Sequence, residues 1–308
     1  MTIAVLGVGG VGGYFGGRLA QAGEKVAFIA RGEHLAAIRA EGLRIVSPKG
    51  DAHLVSVQAT DDPASIGPVD TVIVAVKAWQ LPEAVSQLKP LLTEHTTVLP
   101  LLNGIEAPEI IGEAIGKSHV LGGLCGIVAY IEAPGLIRHL GITPYIHLGE
   151  LDNSSSSRVD TLTHAFEKAG VTCRAPDDIQ LAMWKKFLFI ASVSGVTAVA
   201  RATLGEVRAL PETRQLIRLA MDEIVAVGQS EGVDLTVADI DKTLELLDAS
   251  PADGTTSLQR DVQGGRRSEL HSQTGAVVRL AKKQGIAVPV NEFLFSALLP
   301  QEVKATHG

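Results

Sequence analysis

Along the first half of the chain, short apolar runs alternate with segments of mixed polarity. Runs at 2–6, 25–30, 70–76 and 96–101 have strand length, and the stretches 10–22, 32–41 and 80–88 between them carry helical patterning. Runs that are apolar at every position, rather than alternating, belong to a parallel sheet covered on both faces. The order predicts an α/β fold with a doubly wound sheet. From 120 to 148 the pattern changes to shorter strand-like pieces, broken by Pro134-Gly135 and Pro144, as in an antiparallel appendage. A polar loop at 153–157 leads into one further helix at 158–170. Beyond Pro176 the strand signals vanish, and 181–200, 211–231, 237–248, 268–284 and 291–299 all read as helices. The reading is therefore an N-terminal α/β domain over 1–176 and an all-helical domain over 177–308. A ligand is expected in a cleft between them.

Composition narrows the class. Of 308 residues, 46% are hydrophobic and 20% charged, enough for a core in each half and unlike a disordered, collagenous or coiled-coil chain. The net charge of −7 offers no basic field for nucleic acid or anionic lipid, so any anionic ligand must be caught locally. The longest uncharged run, 187–200, is shorter than the roughly 20 residues a bilayer requires. No basic segment precedes the first apolar stretch, so neither a signal peptide nor a membrane partner is expected, and the setting is cytoplasmic. Cys125 and Cys173 form no CxxC pair and read as reduced, packed thiols.

Candidate chemistry begins at Gly7-Val8-Gly9-Gly10-Val11-Gly12, a GxGxxG segment that follows a strand and opens a helix. In that context Gly7 permits the turn, Gly9 lets the backbone approach a pyrophosphate, and Gly12 lets helix pack on strand. The helix N-terminus then faces the phosphates. An NAD site places an acid about 20 residues further on. This chain has Arg31 there, in Ile29-Ala30-Arg31-Gly32, and a guanidinium suits a 2′-phosphate. The cofactor expected is NADP(H).

Two further strands end in polar residues, Lys77 and Asn103, at the sheet edge where ligands bind. Either could equally be a surface or turn residue. Lys185 and Lys186 stand at the mouth of a helix whose next fourteen residues carry no charge. Lys186 shares a face with Ile190 and Ser194, but periodicity does not separate the two lysines. Ser257–Val262 and Arg266–Glu269 form a polar island in which Glu269 could merely pair with Arg266. The nine histidines show no ligand spacing, and neither GxSxG nor a metal cluster occurs.

GVGGVGGYFGGRLAQAG, IARG, VAVKAWQ, LLNGIE, MWKKF, SLQRDVQGGRRSE and GIAVPVNEFL, in this order, resemble the ketopantoate reductase (2-dehydropantoate 2-reductase) family over essentially the whole chain. The resemblance implies a Rossmann-type domain, a helical second domain, and NADPH-dependent reduction of ketopantoate to pantoate on the route to pantothenate and coenzyme A. It implies that Gly7, Val8, Gly9, Gly10, Val11, Gly12, Arg31, Lys77, Asn103, Val128 and Glu269 contact the cofactor. Lys186, rather than Lys185, aligns with the proton-donating lysine, and Glu269 with the acid that accompanies it. Asn103, Lys186, Ile190, Ser194 and Ser257 fall at substrate positions.

Ile190, Ser194 and Leu204 stand where well-known members carry asparagines, which makes the pocket more apolar. That leaves the cofactor and reaction type untouched and bears on which 2-keto acid is taken. Two rivals share these residues: a reductase of a different 2-keto acid, and a non-catalytic NADP(H)-binding sensor, which would need none of Lys186, Glu269 and Ser257. The partners expected are a small 2-keto acid and, among macromolecules, a second copy of the chain in a homodimer.

Overall fold

The computed structural model describes residues 1–307. The chain divides into two compact units: residues 1–102 with 107–179, and residues 103–106 with the chain from Gln180 onward.

The first unit holds β1 (Thr2–Leu6), α1 (Gly10–Gln21), β2 (Lys25–Ile29), α2 (Gly32–Glu41), β3 (Leu43–Val46), β4 (Ala52–Leu54), β5 (Gln58–Thr60), β6 (Thr71–Val74), α3 (Leu81–Ser86), β7 (Thr97–Pro100), α4 (Ala107–Ile115), β8 (Leu121–Ala133), β9 (Leu136–Glu150), α5 (Ser157–Lys168) and β10 (Thr172–Arg174). Five strands pair in the order β5-β2-β1-β6-β7, all parallel, so the strand order reverses at β1. This is the doubly wound sheet that the continuous apolar runs predict. Ile3, Ala4, Val5, Val72, Ile73 and Val74 are fully buried within it.

A second sheet runs β10-β9-β3-β4, with β8 antiparallel to β9. Here the structure corrects the expectation of short pieces, since β8 and β9 are 13 and 15 residues long. Their register jumps from Gly126 opposite Tyr145 to Val128 opposite Leu140. Pro144 is tolerated because it lies in the stretch that this bulge frees from the ladder.

The two sheets sandwich α1, and its glycines sort by face. A β-carbon on Gly13 or Gly17 would meet Ile137 or Ile45 of the second sheet, whereas one on Gly12 or Gly16 would meet Val5 of β1. The glycine run is thus partly a packing device that lets α1 approach both sheets.

The second unit is helical: α6 (Ile179–Ala200, whose first residue belongs to the first unit), α7 (Leu204–Ala209), α8 (Pro211–Ser230), α9 (Val237–Ala249), α10 (Ser257–Gln263), α11 (Thr274–Gln284) and α12 (Pro289–His307). Reciprocal capping boxes start three of them, at Thr203/Glu206, Thr236/Asp239 and Thr256/Gln259. The core gathers Phe187, Leu188, Met221, Ile224, Leu235, Leu247 and Leu294. Among the described residues α6 alone is long and apolar enough to cross a membrane, and 67% of its most apolar window is buried within the protein.

The reading of 268–284 as one helix is wrong. A short 3-10 turn at Leu270–Ser272 precedes α11, and the backbone breaks at Gln273. α12 also runs on through Pro300, where the pattern had ended the helix. The short elements β3, β4, β5, β10, α4, α7 and α10 escaped the periodicity because few of them span two turns or three alternations. Both cysteines are buried and outside any disulfide, and burial pushes the Cys173 thiol up to about 11.

Candidate active site

In the first unit the site is a set of strand ends. β1 ends at Leu6 and β6 at Val74, on either side of the point where the strand order reverses, which is where open α/β sheets bind ligands. Gly7 turns there with φ +97°, and a side chain on it would come within 2.7 Å of the Val76 nitrogen. Only glycine fits. At Gly9 the position of a β-carbon is open space, and Gly9 caps α1 without a side-chain bond. The start of α1 thus offers N–H groups without a side-chain cap beside an approachable backbone, an arrangement that fits a pyrophosphate. Gly10 does something else, because a β-carbon there would run into the Ala129 carbonyl of β8.

Arg31 caps α2 in extended backbone, and its guanidinium donates to Glu83 Oε1 at 2.8 Å, with 56% of the side chain exposed. Lys77 follows β6 and caps the 3-10 turn Ala78–Gln80, its N–H donating to Gln80 Oε1 at 3.1 Å. Val8 is buried, Val11 half-buried, and Val128 exposed on β8. No motif or spacing points to His34. Its Nδ1 accepts from Gly135 N–H at 3.0 Å, tying α2 to the β8–β9 turn. Burial pushes its imidazole below the ordinary value, although the Val8 backbone pulls the other way.

In the second unit three candidates meet. Lys186 Nζ donates to Asn103 Oδ1 at 3.2 Å, and Asn103 Nδ2 donates to Glu269 Oε2 at 3.0 Å. Asn103 is thus the bridge between an ammonium and a carboxylate that lies 5% exposed. The loop holding it is tightly built. Gly104 has φ +98°, with the Ser272 carbonyl 2.8 Å from where a side chain would start, and Glu106 Oε2 accepts from Arg279 at 2.6 Å.

The structure also separates the two lysines. Lys185 points elsewhere and pairs with Asp239 at 2.9 Å. Burial works to raise the Asp239 carboxyl, but Lys185 together with Thr236 holds it below its usual range. Glu269 does not pair with Arg266, whose partner is Asp261. Ile190 and Ser194 follow one and two turns past Lys186 on α6, Ile190 half-buried and Ser194 buried. Ser257 opens α10 and is half-buried, and Leu204 is buried at the start of α7.

Residues 3–153 match the family described as ketopantoate reductase PanE/ApbA, and residues 178–302 match its C-terminal part. A 2-dehydropantoate 2-reductase of Mesorhizobium japonicum is 31% identical, over 92% of each chain. An uncharacterized oxidoreductase of Bacillus subtilis, YkpB, is 30% identical over 99% of this chain and 100% of that one. Among solved structures, 2-dehydropantoate 2-reductase from Geobacter metallireducens superposes with a TM-score of 0.91 at 30% identity, covering 97% of this chain and 99% of that one.

Proposed function

The chain belongs to the ketopantoate reductase PanE/ApbA family and is an oxidoreductase, and from that premise we propose that it reduces ketopantoate to pantoate with NADPH, a step toward pantothenate and coenzyme A. The observation that carries the reading is the hydrogen-bonded chain Lys186–Asn103–Glu269. The first domain would hold the cofactor: Gly7 to Gly12 at the pyrophosphate, Arg31 at the 2′-phosphate, Lys77 and Val128 along the remainder. When bound, the reduced nicotinamide supplies the hydride.

An ammonium has three N–H donors, so one bond to Asn103 leaves Lys186 two for the substrate. Lys186 polarises the keto oxygen and passes a proton from Nζ as that oxygen becomes an alkoxide. Asn103 fixes the direction of the ammonium, and Glu269 in turn holds the Asn103 amide. Ser257 would bind the substrate carboxylate or hydroxyl.

The Arg31–Glu83 pair does not oppose the 2′-phosphate reading. An exposed ion pair is worth about 0.2–1 kcal/mol, while a charge-assisted hydrogen bond to a phosphate is worth about 1.5–3 kcal/mol, so the guanidinium changes partner when the cofactor binds.

A second reading, another 2-keto acid with a less polar tail, is favoured by Ile190 one turn past Lys186 and by the burial of Ser194. The deciding experiment follows the loss of NADPH absorbance with ketopantoate and with a panel of other 2-keto acids, using NADH as control. Efficient turnover of ketopantoate supports the first reading. Turnover confined to apolar keto acids replaces it with the second, and binding of NADPH without turnover of any of them leaves a sensor.

A further inference from the structure

Glu302 lies on α12, two residues beyond Pro300, with 3% of its surface exposed. A carboxylate taken out of water is strongly disfavoured unless its oxygens are fully hydrogen-bonded. Its partners are concentrated on one residue. Ser268 N–H donates to both oxygens, at 3.0 and 3.2 Å, and Ser268 Oγ–H donates to Oε2 at 2.6 Å. Ser268 Oγ in turn accepts Leu270 N–H at 3.2 Å. Glu269 sits between these two anchored residues, and its own carbonyl accepts from Ser272 and Gln273 N–H, each at 3.1 Å. Leu270 and Leu298 pack in one cluster beneath the bend. The backbone on both sides of Glu269 is therefore braced, and the brace originates on α12.

We infer that Glu302 is a positioning residue: through Ser268 it sets the bend that carries Glu269, and so the line from Glu269 through Asn103 to Lys186. The catalytic part of this inference rests on the function proposed above. Residues 268–284 pattern as one helix, and the bend at 268–273 is where tertiary contact overrides that pattern. Glu302 supplies that contact.

The test compares Glu302→Ala, Glu302→Gln and Ser268→Ala, and combines Glu302→Ala with Glu269→Gln. Misplacing a catalytic group by about 1 Å costs on the order of 10²-fold, so Glu302→Ala should lower kcat by roughly 10–100-fold while KM for the keto acid stays within about threefold. Glu302→Gln keeps an oxygen that can accept from Ser268 and should restore kcat to within about threefold of the parent. If Glu302 acts through Glu269, adding Glu302→Ala to Glu269→Gln brings no further loss.

Amide exchange over 266–273 should quicken about tenfold or more in Glu302→Ala, with the rest of the protein unchanged. A kcat within about twofold of the parent, losses that multiply in the double variant, or unchanged exchange at the bend each overturn the inference. If Glu302→Ala does not fold, Ser268→Ala, which removes only the hydroxyl, carries the same measurements. The exchange experiment decides whether Glu302 holds the bend independently of substrate, whereas a parent protein that turns over no 2-keto acid sinks the proposed function instead.

Discussion

Two adjacent lysines illustrate how much a single hydrogen bond decides. Lys186 reaches Asn103 and Lys185 reaches Asp239, and nothing in their spacing distinguishes them. Lys186→Ala should lower kcat by about 10²–10⁴-fold, the usual worth of a general acid, while the dissociation constant for NADPH measured by fluorescence changes little. Lys185→Ala should do the reverse, sparing kcat and lowering the thermal midpoint because Asp239 is left buried beside Thr236 without its cation. Equal kinetic losses in both variants would mean the assignment is mistaken. At Arg31, substitution by alanine should raise KM for NADPH about 10–100-fold and leave NADH nearly unchanged. Equal effects on both cofactors would remove the 2′-phosphate role.

At the scale of elements, the parts that hold the site were mostly hidden from the pattern. The glycine loop, Arg31 and the strand ends were legible because each sits at a fixed distance from a strand or helix boundary. The bend at 268–273 was not, because its sequence patterns as helix and the Ser268–Glu302 contact that braces it joins residues 34 apart. The Asn103 loop depends in the same way on Gly104 and on Arg279. Gly104→Ala should cost about 1–3 kcal/mol in backbone strain, and its thermal midpoint and kcat should fall together.

His34 adds a pH dependence of its own. Its folded value lies below 6.5, so the native state binds fewer protons than the unfolded chain. The stability linked to it is present above 6.5, falls as pH drops from there through the lowered folded value, and is flat beneath it. Urea midpoints measured across this window should decline less steeply in His34→Gln than in the parent.

For the molecule as a whole, binding must appear as stability. A cofactor that binds only the folded state adds about 2.7 kcal/mol when present at 100 times its dissociation constant. NADPH should therefore raise the thermal midpoint more than NADH at equal concentration, and Arg31→Ala should abolish the difference. The family membership covers both units, since separate family matches span 3–153 and 178–302. The resemblance implies asparagines where this chain has Ile190, Ser194 and Leu204, and the substrate panel tests whether those positions change which 2-keto acid is taken.

Local chemistry determined a good deal by itself. Continuous apolar runs specified a parallel sheet, because a strand buried on both faces has no polar side to show. The loop Gly7 to Gly12 specified a tight strand-to-helix turn, because Gly7 takes a positive φ and Gly9 leaves open space beside the backbone. The tertiary structure alone decided the rest: which lysine meets Asn103, where the helix before α11 breaks, and why Glu302 is buried. Each of these is a contact between residues far apart in the chain, set by packing and hydrogen-bond satisfaction in three dimensions, and no periodicity of 2 or 3.6 residues encodes it.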